Sequence, residues 1–168
     1  AAGNEFEGTY VGREKTGIWK SVDGANSWTR VTSSIQESTG YTEFNNLQLG
    51  ANNRIWAGTK MNSYWQGGGE IFFSDDGENW TESIWRSEIG VSGNRVDVRV
   101  APSDPNTIYA LIAQIDTPRW IARSTDNGAT WTQLDLPQNQ DSSSQSFGGY
   151  LSDTNGTANW AMGFGVDA

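Results

Sequence analysis

The chain reads as an all-β protein made of four-stranded antiparallel sheets, the blades of a β-propeller, with about three blades of a larger, incomplete ring. Three observations predict this. A Ser, an Asp two positions on, a Gly-containing turn and a Trp recur as Ser21-Val-Asp23 to Trp28, Ser74-Asp-Asp76 to Trp80 and Ser124-Thr-Asp126 to Trp131. The three Asp residues are 53 and 50 positions apart, a period that belongs to a repeated supersecondary unit. Short aromatic or β-branched runs flank every copy, and no helical periodicity of useful length interrupts them.

Taken in order, each unit has the same parts. Gly17–Lys20, Glu70–Phe73 and Trp120–Arg123 precede the turns, and runs beginning at Trp28, Trp80 and Trp131 follow them, so each turn is the connection of a hairpin. Thr9–Gly12, Arg54–Gly58 and Thr107–Leu111 supply the strand before. Asn45–Leu49 and Arg95–Val100 alternate polar and apolar residues with period 2 and form a first strand. The units fall at about residues 1–34, 41–85 and 93–136, and 158–168 begins a further one. Residues 1–16 read as a blade entered partway through. Closed propellers have roughly four to eight blades, so the sequence predicts a longer parent chain. A β-sandwich or a β-solenoid is the alternative arrangement.

The third copy, Ser124-Thr-Asp126-Asn-Gly128-Ala-Thr-Trp131, resembles the Asp-box, or BNR, repeat at every fixed position of S-x-D-x-G-x-x-W. The first copy has Ala25 where that Gly belongs, and the second is one residue shorter from Asp to Trp. Val100-Ala-Pro-Ser-Asp104-Pro-Asn-Thr-Ile-Tyr109 is similar to the first-to-second-strand connection of Asp-box propellers such as sortilin-like proteins, photosystem II assembly factors and xyloglucanases. Its prolines end a ladder and set a turn. The resemblance implies structural roles for Ser21, Asp23, Trp28, Ser74, Asp76, Trp80, Ser124, Asp126, Gly128 and Trp131. That role needs no catalysis: Asp accepts hydrogen bonds from its own turn, Gly takes positive φ, and Trp buries a large ring.

Composition narrows the chemistry. The 168 residues hold 11 Lys and Arg against 20 Asp and Glu, a formal charge of −9, which argues against a nucleic-acid groove. There is no Cys and no His, so disulfides, thiol nucleophiles, thiolate metal sites and imidazole acid-base catalysis are excluded within these residues. No apolar run is long enough to span a membrane as a helix. The twelfth residues counted from the turn aspartates are Ser34, Ser87 and Pro137, so the turns are not EF-hands. Gly67–Gly69 lacks the Lys-Ser/Thr of a phosphate loop. Neither a metal nor a cofactor is expected.

In a propeller the hairpin turns of the repeat lie at one end of the blades and the connections between blades at the other. The expected functional face therefore carries residues 32–41, 60–69, 82–94, 113–119 and 135–159. In the second of these, Tyr64, Trp65 and Gln66 beside a Gly run are what a glycan- or peptide-binding rim uses, and Trp85 on the next connection extends such a platform. The bland reading is that Trp65 and Trp85 cap blade cores. For glycoside hydrolysis two carboxyl groups must face one bond, with one protonated. Asp97 and Glu43 are the candidates, with Glu70, Glu88 and Asp116 near the same face; the row Arg95, Asp97, Arg99 also suits structural ion pairing. The Arg-Ile-Pro signature of sialidases is absent. The reading is a non-catalytic binding or scaffold propeller of a secreted or cell-surface protein, extracellular or periplasmic and bacterial in style. Its partners are a glycan or protein ligand and the remaining blades. The alternative is part of a glycoside hydrolase of xyloglucanase-like type.

Overall fold

The structure, a computed structural model, describes residues 2–3, 6–7, 10–11, 16–38, 42–62, 67–90, 93–114, 117–135 and 165–166. Three two-residue strands open the chain: β1 (Ala2–Gly3), β2 (Phe6–Glu7) and β3 (Tyr10–Val11). They precede β4 (Gly17–Lys20) and β5 (Thr29–Arg30), which flank the first Ser-x-Asp turn and pair with each other. The strand beside β4 is β1, with Ala2 opposite Ile18, whereas β3 pairs with β2, Phe6 opposite Val11. The repeat predicts Thr9–Gly12 beside Gly17–Lys20, but its described residues, Tyr10–Val11, pair with β2 instead. A hairpin between such near neighbours closes a short loop at small entropic cost.

Two short helices were not legible in the periodicity: α1 (Ser33–Ser38) and α2 (Trp85–Ile89). Between them lie β6 (Glu43–Leu49), β7 (Ile55–Lys60), β8 (Ile71–Ser74) and β9 (Thr81–Glu82), paired antiparallel in sequence order. After α2 the pattern repeats with β10 (Arg95–Ala101), β11 (Asp104–Gln114), β12 (Thr117–Ser124) and β13 (Thr132–Leu134). These are two β-propeller blades. They touch edge to edge at one bridge, Arg95 opposite Lys60, reinforced by Met61 N–H donating to Asn94 O at 2.7 Å. The side-chain amide of Asn46 extends the join by donating to Val98 O at 2.6 Å. Of residues 135–159 only Asp135 is described, and of 160–168 only Gly165 and Val166; the predicted start of a further blade lies outside the described residues.

The β6–β9 blade is apolar on both faces, as a blade held between two others must be. Trp56, Ile71 and Phe73 point to one side, where they meet Val96, Val98, Ile108, Ala110, Ile112 and Ala122. Ala57 and Phe72 point to the other, where they join Phe44, Ile18 and Ile35. This is the period-2 alternation of a strand used twice over. Each fully buried Trp or Ile contributes about 1.5–3 kcal/mol of burial, so the two seams dominate the cohesion of the described chain.

The three Ser-x-Asp turns have one hydrogen-bond plan. In the third, Ser124 Oγ donates to Asp126 Oδ1 at 2.7 Å and accepts from Gly128 N–H at 2.8 Å. Asp126 then accepts from Thr130 through its N–H at 2.9 Å and its hydroxyl at 2.6 Å. The first turn repeats this with Ser21, Asp23, Ala25 and Ser27. In the shorter second turn Asn79 replaces the hydroxyl, its amide donating to Asp76 Oδ2 at 2.7 Å. Gly128 has φ of 84° and the ring of Trp56 occupies the space a Cβ would need, so both conformation and packing demand glycine there. Ala25 stands at the matching place with φ of 72°.

Candidate functional site

Strand direction sorts the carboxylates into two groups. β8 runs from the 61–70 connection to the second turn, so Glu70 and Asp76 stand at its opposite ends. Glu43 on β6 and Arg95 on β10 each lie opposite Lys60, the last residue of β7. Glu43, Glu70 and Asp97 thus gather at the end away from the turns.

All three are buried and each meets a cation. Glu43 is 3% exposed, and its Oε2 lies 3.1 Å from Lys60 Nζ. Asp97 is 2% exposed; it lies 3.3 Å from Arg95 Nη2 and accepts from the Asn45 amide. Glu70 lies 3.4 Å from Arg86 Nη2 and accepts from the hydroxyls of Thr42 at 3.1 Å and Thr59 at 3.0 Å. Burial pushes the Glu70 carboxyl above its ordinary value, against the pull of Arg86 and the two Thr hydroxyls. It does the same at Asp97, against Arg95 and Arg99. Chemically Glu70 and Asp97 supply carboxyl groups whose acidity burial weakens, each with a guanidinium beside it. Sequence reasoning missed Thr42, Thr59, Lys60 and Arg86. The signal for three of them was weak, because Thr is common here and Arg86 belongs to a helix too short to show periodicity.

The aromatic candidates separate. Tyr64, Trp65 and Gln66 lie outside the described residues, as does Asp116. Trp85 is fully buried in the core with Trp56, Val96 and Ile112, so its ring packs between blades and offers no face to a ligand. The platform reading of Trp85 is thereby corrected: α2 turns the side chain inward to cover the blade end. Glu88 is exposed on the same helix.

The turn end has a different character. Trp131 is 5% exposed; it packs edge-on against Trp56 at 6.1 Å and donates its indole N–H to Ser83 Oγ at 3.1 Å. Trp80 stacks against Phe44, while Trp28 remains 46% exposed. Arg54 bridges the seam, paired with Asp75, donating to Asn127 O at 3.0 Å and lying 4.2 Å over the Phe73 ring. A cleft of about 310 Å³ opens there among Arg54, Phe73, Glu82, Ile84 and Asn127. Hydrogen bonds from Ser27 and Thr130 hold the Asp23 and Asp126 carboxyls down to about 2, and the Asn79 N–H does so still more strongly for Asp76. Among the described residues no cluster of three acidic groups is placed to hold a metal, and no helix is long and apolar enough to cross a membrane.

No protein-family model matches the chain, and no curated protein does. Among solved structures it is similar to the GH74 xyloglucanase from Xanthomonas campestris, with a TM-score of 0.55 and 22% identity. The likeness covers 77% of this chain and 18% of that one, so the chain spans less than a fifth of the enzyme's length. At that identity the likeness speaks for the β-propeller fold alone.

Proposed function

We propose that this chain is a non-catalytic binding or scaffold part of a β-propeller belonging to a secreted or cell-surface protein. In this reading the Ser-x-Asp turns are Asp boxes that fasten successive blades, with units near residues 1–34, 41–85, 93–136 and 158–168. Glycan or protein ligands meet the loops at the opposite end, through Tyr64, Trp65 and Gln66. The observation that carries the reading is the pairing of the buried carboxylates Glu43, Glu70 and Asp97 with Lys60, Arg86 and Arg95. Carboxylates so neutralised and enclosed serve the blade rather than a substrate. The experiment is a calorimetric titration with xyloglucan oligosaccharides, chosen because the similar solved structure is a xyloglucanase. Tyr64→Ala and Trp65→Ala are expected to weaken binding by roughly tenfold with unchanged thermal unfolding. Unchanged affinity for every glycan and protein partner tried would sink the reading.

The likeness to a xyloglucanase favours a second reading, part of a glycoside hydrolase whose other catalytic parts come from further blades. It requires that Asp97→Ala and Glu43→Ala in the complete protein abolish xyloglucan cleavage. Unaltered cleavage in both variants rejects it.

A further inference from the structure

The chain enters β8 through Gly67, Gly68 and Gly69, whose φ angles of 65, 81 and 77° are all left-handed. At Gly68 and Gly69 the backbone of Met61, Asn94 and Gly93 fills the space that a Cβ would take. This stretch is pressed between its own blade and the start of the next. Its carbonyls point at Arg86 on α2: Nη2 donates to Gly69 O at 2.8 Å and to Gly68 O at 3.4 Å, and reaches Glu70 Oε1 at 3.4 Å. The other Glu70 oxygen takes the Thr42 and Thr59 hydroxyls. Gly68 N–H donates to Thr42 Oγ1, and Glu70 N–H to Thr59 Oγ1 at 2.7 Å. One guanidinium and one carboxylate thus tie the entry of β6, the end of β7, the start of β8 and α2 into a single knot. All three contacts fall on the single nitrogen Nη2, whose two N–H groups serve Gly69 O best and share the longer contacts to Gly68 O and Glu70 Oε1.

We propose that Arg86 and Glu70 are positioning residues, a clamp that fixes Gly67–Gly69 where the chain enters β8, at the end of the blades where ligands are proposed to bind. The clamp rests on the proposed binding role of the loops opposite the turns. Arg86 touches no ligand in this account; it acts through the two glycine carbonyls and Glu70. The charged groups facing Glu70 are Arg86, which favours its ionised form, and Glu82, which opposes it; Thr59 and Thr42 complete its surroundings.

Amide hydrogen exchange on the 168-residue chain tests the clamp directly. Arg86→Ala is expected to speed exchange at Gly68 and Glu70 on the order of tenfold to a hundredfold, while amides of the 124–130 turn keep their rates. Arg86→Lys restores part of the protection. Glu70→Gln, which keeps the side chain's size and removes the charge facing Arg86, is expected to speed exchange at Gly68 by less than Arg86→Ala does. Unchanged exchange at Gly68 in Arg86→Ala overturns the clamp. Should Arg86→Ala not fold, Arg86→Lys against Glu70→Gln gives the same contrast. Titration with xyloglucan oligosaccharides separates the two levels. Weaker binding by Arg86→Ala supports positioning, and unchanged binding with altered exchange overturns it. A wild type that binds nothing while the exchange pattern holds overturns the binding role and leaves the clamp standing.

Discussion

The two ends of these blades hold the same chemical group in opposite states. At the turns, Asp23, Asp76 and Asp126 lie at the surface yet are held well below the ordinary 3.8 by donors from the next few residues. At the other end Glu70 and Asp97 are raised by burial, although an Arg stands beside each. The difference teaches which effect wins. Local N–H and hydroxyl donors cost a surface carboxylate almost no hydration, so their whole attraction appears as acidity. The cations beside the buried pair, Arg86 on α2 for Glu70 and Arg95 two positions along β10 for Asp97, only partly offset the hydration a buried carboxylate gives up. The turn carboxylates are therefore self-contained fasteners, and the far-end ones are tertiary anchors for the loops around them.

The largest contrast to break is between the turn tryptophans. Trp131→Ala should destabilise by about 3–5 kcal/mol in urea unfolding, because it empties the seam against Trp56 and orphans Ser83. Trp28→Ala, at a half-exposed ring, should cost less than about 1 kcal/mol. Equal costs would mean the seams are not what the repeat packs against. Next in size is Lys60→Met, which removes the ammonium group beside the buried Glu43 and should cost about 3 kcal/mol. Lys20→Met removes the surface pair with Glu78 and should cost under about 1 kcal/mol.

The pH dependence of stability sharpens the same comparison. Groups with lowered pKa add stability above their unfolded value, so the turns lose theirs as pH falls from about 4 towards 2. Glu70 and Asp97 have raised values, so they favour the fold while protonated. That advantage is lost as pH climbs from their ordinary values of 4.5 and 3.8 through the raised ones. Chemical unfolding against pH should accordingly peak in mild acid, and Glu70→Gln should flatten only the upper flank. Ala25→Gly should gain about 1 kcal/mol by relieving a left-handed alanine.

What the sequence made legible follows from the range of each interaction. The turns were readable because Ser21, Asp23 and Ser27, or Ser124, Asp126 and Thr130, bond within four positions of one another. β10 was readable because Val96, Val98 and Val100 alternate against Asp97 and Arg99. The partner of β4 was not, since Ala2–Gly3 pairs with it in place of the nearer Tyr10–Val11, a choice that no residue pattern states. Nor was the inward turn of Trp85, which depends on a helix of five residues. The Arg86–Glu70 pair was equally hidden: 16 positions separate its members, and only the packing of α2 against the glycine stretch brings them together.

A carboxyl-carbon NMR titration of the aspartates and glutamates tests the central contrast most directly. The account predicts that Asp23, Asp76 and Asp126 titrate clearly below 3.8, and that Glu70 and Asp97 titrate above 4.5 and 3.8. Midpoints for both groups at their ordinary values would contradict it, as would an Asp97 that titrates alongside Asp126.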